Sequence, residues 1–259
     1  MKICIIGAGA MGGAMVEGFV RCGAFSAADV TVSAPHRVTV ERFVQLGVNV
    51  STDNVEAARD ADVVVLAVKP WVVGDVLAEL KPVLDYGRQT LVSVAAGIGG
   101  DKLKAMLDRG DGELPQTLIA MPNIAASVGC SMTFVVPVNA DGGAVRTVEA
   151  MFDKVGSVLV TEERLLPAGT ALASCGIAYA MRYVRAATEG GVELGFKAGT
   201  ACDIVLQTVK GAVALLQEGG GHPEAEIDKV TTPGGLTIRG LNAMERAGFT
   251  NAVIEGLRS

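Results

Sequence analysis

The stretch KICIIGAGAMGGAMVEGFV, residues 2–20, decides the fold of this chain. Its first part, residues 2–6, is a short apolar run with many β-branched side chains, which is typical of a buried strand. Apolar residues recur at helical spacing from Met15 to Val20. Three glycines in the spacing G-x-G-x-x-G separate the two patterns: Gly7, Gly9 and Gly12. The stretch therefore predicts a strand, a tight turn and a helix.

Each glycine has a separate task in such a turn. Gly7 permits the tight turn, Gly9 lets the backbone approach a pyrophosphate, and Gly12 allows the helix to pack closely on the strand. The unpaired amides at the helix start face the phosphates. We therefore predict that the turn binds NADH or NADPH; a glycine-rich turn without a ligand is the alternative. The predicted cofactor contacts in this turn are Gly7, Ala8, Gly9, Ala10, Met11 and Gly12.

Strand and helix patterns continue to alternate after the turn, up to about residue 161. The fully apolar run VVVLAV at 63–68 predicts a strand buried on both faces, as in a parallel sheet covered by helices. These residues therefore predict an α/β Rossmann-type, doubly wound parallel sheet. The other predicted strands are 30–33, 90–94, 117–120, 132–136 and 158–160, and the predicted helices are 38–45, 72–84 and 145–154.

Residues 162–259 have a different character, because long Ala-rich helical patterns replace the strands. Helices are predicted over 168–194, 198–216 and 236–247. The first two are apolar over much of their circumference, so this helical domain is expected to pack against another subunit. We place the domain boundary at 161/162. The uncharged stretch 165–181 is shorter than the roughly 20 apolar residues of a membrane span, and burial between subunits is the preferred interpretation.

Composition argues for small-molecule chemistry. The net charge is −6, and no block of Lys or Arg predicts binding to nucleic acid or to a membrane. The first apolar run stops after four residues, unlike a signal peptide, so we expect a cytoplasmic protein. Five cysteines without a CxxC pair predict reduced, mostly buried thiols and no metal site: Cys4, Cys22, Cys130, Cys175 and Cys202.

The end of the second strand concerns the choice between NADH and NADPH. An NAD-specific protein usually places a carboxylate there, whereas this chain reads SAPHR at 33–37. A hydroxyl from Ser33 and a guanidinium from Arg37 suit a 2′-phosphate, which favours NADPH. NADH stays open, because Arg37 also fits a solvated helix start. His36 is predicted to be exposed and not catalytic.

Other polar residues follow strands at the edge where open α/β sheets bind ligands. Lys69 and Pro70 directly follow VVVLAV, and they either line the cofactor cleft or belong to a capped loop. Asn54 either binds the cofactor or caps a helix.

The segment 228–248, DKVTTPGGLTIRGLNAMERAG, carries the densest signal near the carboxyl end. Its turn 231–235 is rigid and exposes backbone amides at a helix start, which suits a carboxylate. Thr237 lies in the first helical turn, with its hydroxyl close to such an anion.

The run TTPGGLTIRGLNAMERAGF at 231–249 resembles the signature of the pyrroline-5-carboxylate reductases. The resemblance extends along the whole chain, in the right order. The further matching segments are GAGAMGGA at 7–14, AVKP at 67–70, AAG at 95–97, MPN at 121–123, AY at 178–179, EGGVELG at 189–195 and HPEAEIDKVTTPGG at 222–235.

The resemblance implies reduction of L-1-pyrroline-5-carboxylate to L-proline by a hydride from NADPH or NADH, the last step of proline biosynthesis. It implies a Rossmann domain followed by a helical domain that forms homodimers, with rings of five dimers in many members. It implies that residues 232–237 hold the substrate carboxylate and that Thr237 bonds the ring nitrogen and is the catalytic residue. The substrate contacts so implied are Thr232, Pro233, Gly234, Gly235, Leu236 and Thr237. The cofactor contacts so implied are Asn54, Ala67, Val68, Lys69, Pro70, Ala95 and Asn123.

Two positions depart from the commonest family pattern. Ile177 stands in place of Pro and Ile124 in place of Thr, which leaves the substrate contacts around them open. Because water can protonate a cyclic imine, we expect positioning and a dry pocket to supply most of the rate. The alternatives are a related NADP-dependent imine or hydroxy-acid reductase and a non-catalytic dinucleotide sensor.

Overall fold

The computed structural model describes all residues, 1–259, as two compact units, residues 1–174 and residues 175–259. Unit 1 contains one sheet of eight strands in the order β3-β2-β1-β4-β5-β6-β7-β8. The strands are β1 Ile3–Ile6, β2 Val30–Ser33, β3 Asn49–Ser51, β4 Val63–Leu66, β5 Thr90–Ser93, β6 Gln116–Met121, β7 Ser131–Asn139 and β8 Gly156–Val160.

Helices cover both faces of this sheet, which confirms the doubly wound class. They are α1 Ala10–Arg21, α2 Arg37–Glu41, α3 Asn54–Ala58, α4 Val73–Leu80, α5 Gly100–Leu107, α6 Gly142–Asp153 and α7 Leu166–Gly169. In β1, Ile3 and Ile5 join one buried cluster, whereas Cys4 and Ile6 join the other. A strand that alternates between two cores has no polar face, which explains its uniformly apolar sequence.

The sheet is mostly parallel, and the strand β7 is the exception. It runs antiparallel to β6 and parallel to β8. Residues 122–130 connect β6 to β7 through only a short 3-10 turn, Ile124–Val128, and a parallel crossover needs a dozen residues or more. The chain must therefore reverse direction at this turn.

Several local predictions in unit 1 were wrong. The helix expected over 38–45 is α2 followed by a 3-10 turn, Val44–Leu46, which ends at Gly47 with a left-handed φ of 77°. Val38, Thr39 and Val40 are β-branched and weaken the helix. The elements β3 and α5 were not predicted from the sequence, whereas α3 is the short helix that was expected beside Asn54.

Unit 2 is entirely helical. Its helices are α8 Gly176–Glu193, α9 Ala198–Gly219, α10 Pro223–Lys229, α11 Leu236–Arg246 and α12 Phe249–Arg258. The single helix predicted over 168–194 is interrupted, because a π-helical segment, Thr170–Cys175, lies between α7 and α8. The predictions from sequence also missed α10 and α12.

The two compact units meet at 174/175 rather than at 161/162. Residues 163–174 follow the last strand but remain attached to unit 1. Leu166 is buried in one of its clusters, and Asn123 Nδ2 donates to the Ala173 carbonyl at 3.2 Å. The compact units therefore divide at a different position from the change between strand and helix patterns in the sequence. The domain boundary at 161/162 stays a prediction.

One helix, α9, is long and apolar enough by length and composition to cross a membrane, and 6% of its apolar window is buried within the single chain. Such a helix is weak evidence for a membrane, since core helices of other proteins pass the same test.

Candidate functional site: a dinucleotide cradle and a carboxylate loop

The turn between β1 and α1 has the geometry that its glycines predict. Gly7 has a φ of +107°, and a Cβ there would lie 2.5 Å from the Ala67 carbonyl oxygen. Its amide donates to the Ser33 carbonyl at 2.8 Å, which ties the turn to the end of β2. A Cβ on Gly12 would fall on the Gly7 carbonyl. Gly7 and Gly12 are therefore required by the fold itself.

Gly9 differs from the other two glycines, because a Cβ at this position would meet no atom of the chain within 4 Å. Gly9 is the N-cap of α1, and no side chain caps the amides there. Its φ of −72° is open to any residue. The fold does not need a glycine at this position. An anion bound to the free amides would need one, because a side chain here would block its approach. The cradle therefore fits a dinucleotide pyrophosphate.

The carboxyl ends of β1, β2, β4 and β5 lie in register at one edge of the sheet, beside this turn. Ala67 follows β4, and its amide donates to the Ile6 carbonyl at 2.7 Å. Val68 is half-buried, whereas Ala95, after β5, is buried. Ala67 and Val68 thus lie partly exposed at this edge, and Ala95 is buried beside it.

The backbone of Lys69 fits the capped-loop interpretation, and its place in the cofactor cleft stays a prediction. Its carbonyl accepts from Val72 at 2.9 Å and its backbone caps the short turn Pro70–Val72, while its side chain is exposed. Trp71, the only tryptophan, is 77% exposed in the same turn. The lip after β4 therefore presents a cation and an aromatic ring.

Ser33 and Asn54 are brought together, but Ser33 does not face the cleft. Ser33 is fully buried, and its hydroxyl donates to Asn54 Oδ1 at 2.8 Å. The Asn54 amide donates in turn to the Glu79 carboxylate of α4 at 3.0 Å. The Ser33 hydroxyl therefore supports Asn54 and is not available to a 2′-phosphate in this arrangement.

The helix cap proposed as the alternative for Asn54 belongs to its neighbour. Asp53 is the N-cap of α3, and its carboxylate accepts from the amides of Val55 and Glu56 at 2.8 and 3.0 Å. Asn54 is the first residue of the helix, with its side chain half-buried. Its amide group retains one N–H, which is free to face a ligand.

Asn123 is buried, and its polar atoms are occupied by the protein. Its Oδ1 accepts from the Ala125 amide at 3.0 Å, and its Nδ2 donates to the Ala173 carbonyl at 3.2 Å. Its backbone amide donates to the Ser131 hydroxyl at 3.0 Å. The side chain thus orders the turn after β6 and holds the segment that precedes α8.

Arg37 and His36 are both exposed, as expected for His36, and Arg37 makes no hydrogen bond or ion pair. Sequence reasoning missed a second arginine, Arg42 directly after α2, whose Nη2 donates to the Ala8 carbonyl of the turn at 3.1 Å. It also missed Glu79. Both residues reach the edge through contacts that no local pattern shows.

In unit 2, the predicted carboxylate loop precedes α11. Gly234 has a φ of +68°, and the Gly235 amide donates to the Thr232 carbonyl at 3.0 Å. Gly235 is the N-cap of α11 without a side-chain cap, and Leu236 and Thr237 are exposed. The first-turn amides are therefore free to bind an anion.

Arg239 stabilises this loop from the same helix. Its guanidinium donates to the carbonyls of Gly234 and Gly235 at 3.1 and 3.3 Å. Pro233 restricts the loop further. The loop is therefore held in shape before any ligand binds.

The cysteines correct an expectation, since only Cys4 is buried. Burial raises the pKa of the Cys4 thiol to about 12. Cys22, Cys130 and Cys175 are exposed in the single chain. Ile124 is also exposed, and Ile177 is half-buried. No group of three or more His, Cys, Asp or Glu side chains could hold a metal ion.

A Rossmann-type sheet with an uncapped glycine cradle, joined to an all-helical unit, defines a dinucleotide-dependent oxidoreductase. Two family models match the chain. Residues 2–97 match the model described as NADP oxidoreductase coenzyme F420-dependent, and residues 163–259 match the model described as pyrroline-5-carboxylate reductase dimerisation.

Similar proteins make the family specific. Pyrroline-5-carboxylate reductase of Synechocystis sp. is 34% identical over 265 residues, covering 100% of this chain and 95% of the relative. Pyrroline-5-carboxylate reductase 1 of Dictyostelium discoideum is 35% identical over 98% of this chain, which spans about half, 48%, of that relative. The crystal structure of Plasmodium falciparum pyrroline carboxylate reductase with NADP bound has a TM-score of 0.87 at 26% identity, covering 100% of this chain and 94% of the other. The chain belongs to the pyrroline-5-carboxylate reductase family, and the resemblance seen in the sequence is confirmed.

Proposed function

We propose that the protein reduces L-1-pyrroline-5-carboxylate to L-proline with NADPH as the reductant, the last step of proline biosynthesis. The observation that carries the proposal is the open cradle at Gly9, in a chain of this family. Bound NADPH supplies the hydride. The residues of the chain bind, orient and shield the reactants.

The pyrophosphate is proposed to bind in the turn 7–12, through the amides that follow Gly7, because the Gly7 amide already donates to the Ser33 carbonyl. The helix dipole of α1 stabilises the charge of the pyrophosphate there. The edge residues Ala67, Val68, Lys69 and Pro70 line the nicotinamide side. Asn54 donates its free N–H to the adenosine ribose. Ala95 is proposed to lie beneath the bound cofactor. Asn123 is proposed to contribute indirectly, by stabilising the turn in which it is buried.

The preference for NADPH over NADH is part of the proposal. No carboxylate follows β2 to bond an unmodified ribose. The nearby carboxylates are already engaged, since Glu79 accepts from the Asn54 amide at 3.0 Å and Asp53 accepts from the first amides of α3.

The substrate carboxylate is proposed to bind the free amides at the start of α11, in the loop 232–237. Gly234 and Gly235 lack side chains that would cover these amides, and Arg239 keeps their carbonyls turned away. Thr237 is proposed to bond the ring nitrogen and to be the catalytic residue. A hydride adds more easily to the protonated imine, and the Thr237 hydroxyl holds the nitrogen and its proton in place.

We further propose a homodimer formed through residues 162–259, and a ring of five dimers. Ala201 is the only buried residue of unit 2. An apolar groove on this unit is lined by Tyr179, Tyr183, Met244 and Phe249, among others. A helical unit without a core of its own needs a partner surface. A cytoplasmic location is also proposed, since proline synthesis draws on soluble reductant.

One assay tests the proposal. Purified protein is mixed with NADPH and L-1-pyrroline-5-carboxylate. The absorbance of the reduced nicotinamide is followed as NADPH is consumed, and proline is identified by mass spectrometry. Other cyclic imines and β-hydroxy acids with NADP⁺ serve as controls. Proline formation supports the proposal, whereas turnover of a control alone favours a related reductase. Cofactor binding without any turnover would instead support the alternative of a non-catalytic dinucleotide sensor.

A further inference from the structure

Arg42, the C-cap residue directly after α2, is attached to the dinucleotide turn. Its Nη2 donates to the Ala8 carbonyl at 3.1 Å, and its guanidinium lies 4.5 Å from the centre of the Phe43 ring. The side chain is nevertheless exposed. A guanidinium has five N–H donors, so four remain for another acceptor.

The turn itself makes room for this guanidinium. Gly13 directly follows the G-x-G-x-x-G spacing, and a Cβ at Gly13 would lie 2.5 Å from Arg42 Nη2. An alanine there would push the arginine off the turn. The glycine at 13 thus leaves room for the side chains of Arg42 and Phe43.

The place of Arg42 is the place where NADPH and NADH differ. In sheets of this type, the group after the second strand recognises the adenosine ribose, and an arginine there accommodates a 2′-phosphate. α2 directly follows β2, and Arg42 returns from its far end to the turn. Arg37, at the start of the same helix, has no partner to hold it near the turn.

We propose that Arg42, and not Arg37, recognises the 2′-phosphate of NADPH. This proposal rests on the proposed function in requiring that the chain binds the cofactor. The Ala8 carbonyl fixes one edge of the guanidinium, so the remaining N–H groups meet the phosphate already oriented. Such preorganisation lowers the entropy lost on binding.

The alternative for Arg42 is a purely structural latch between α2 and the turn. A latch would support the turn for NADPH and NADH equally, whereas a phosphate contact affects NADPH alone. The two cofactors differ only in the 2′-phosphate, so their ratio separates the two roles.

The test is calorimetric titration of the full-length protein with NADPH, NADH, 2′,5′-ADP and 5′-AMP. The variants are Arg42→Gln, Arg42→Lys and Arg37→Gln, with Arg146→Gln on α6 as a charge-matched control. In Arg42→Gln, the Kd for NADPH and for 2′,5′-ADP is expected to rise at least about tenfold, and that for NADH and 5′-AMP less than about twofold. In Arg42→Lys, the Kd for NADPH is expected to lie between those of the wild type and Arg42→Gln. An ammonium group keeps the positive charge but loses the paired, planar N–H donors of the guanidinium.

Three results would overturn the assignment. These are an equal loss for both cofactors in Arg42→Gln, no loss at all in that variant, and an NADPH-specific loss in Arg37→Gln that exceeds the loss in Arg42→Gln. A wild-type protein that binds neither cofactor would instead refute the proposed function. Thermal melting of each variant checks that the fold is intact.

Discussion

Replacing Gly9 by alanine separates what the fold needs from what the ligand needs. A Cβ at Gly9 meets no atom within 4 Å, and the φ of −72° is allowed for alanine. Folding should therefore be unaffected or gain up to about 1 kcal/mol from the stiffer unfolded chain. The new methyl group lies where the pyrophosphate must approach the amides of α1.

The size of the expected effect follows from the bonds that are lost. A hydrogen bond to a charged group contributes about 1.5–3 kcal/mol. The loss of one such bond raises the Kd for NADPH about 10- to 150-fold. Gly12→Ala has the opposite profile, because its Cβ falls on the Gly7 carbonyl. Overpacking of this kind costs about 1–3 kcal/mol of folding free energy.

The assay combines calorimetric titration with NADPH and thermal melting of the same samples. Gly9→Ala is expected to keep its Tm and lose affinity, whereas Gly12→Ala is expected to lose about 2–4 °C for each kcal/mol of destabilisation. Gly87→Ala is the matched control, since its Cβ makes an ordinary contact 3.5 Å from Asp85. If Gly9→Ala bound NADPH as tightly as the wild type, the cradle would not hold the pyrophosphate.

Four further outcomes are expected. Thr237→Ala should lower kcat by up to about a hundredfold with the Kd for NADPH unchanged, and Thr237→Ser should recover most of the rate; a loss of cofactor affinity with full turnover would contradict this role. Asn54→Ala should leave the buried Ser33 hydroxyl without its acceptor, lowering stability by about 1–3 kcal/mol in urea unfolding and raising the KM for NADPH. Because burial raises the pKa of Cys4 from 9.0 to about 12, its contribution to stability is complete below pH 9.0 and falls by about 4 kcal/mol as the pH rises toward 12; Cys4→Ala should flatten the pH dependence of urea unfolding in this range, and an unchanged slope would argue against the shift. Tyr183→Glu puts a charge in the apolar groove of unit 2 and should give monomers by light scattering, whereas an intact oligomer would place the interface elsewhere.

The parts of the fold that the sequence predicted are those with a local pattern. The strand–turn–helix at 2–20 and the apolar strand β4 follow from periodicity and glycine spacing within a few residues. The antiparallel direction of β7 has no local sequence pattern. It follows from the short connection between β6 and β7, which contains only a 3-10 turn. The strand β3, with three residues, is too short to show a period.

The site divides in the same way. The glycines and the loop before α11 could be identified because their function needs particular residues in fixed spacing. Glu79 and Arg42 contact residues 25 and 34 positions away, at Asn54 and Ala8, so only the folded chain brings them to the edge. The burial of Ser33 could not be predicted from the sequence either. Its hydroxyl was expected to face the cofactor, but in the folded chain it is buried and donates to Asn54.

The single buried residue of unit 2, Ala201, has a consequence for how the protein comes into being. A unit with so little interior gains little by folding alone, so in the proposed homodimer its native state would be formed by two chains together. Its formation then depends on the square of the protomer concentration, and its loss on dilution is a folding event as much as a dissociation. At low abundance, the unpaired chain would expose long apolar helices such as α9 and become a target for chaperones and proteases.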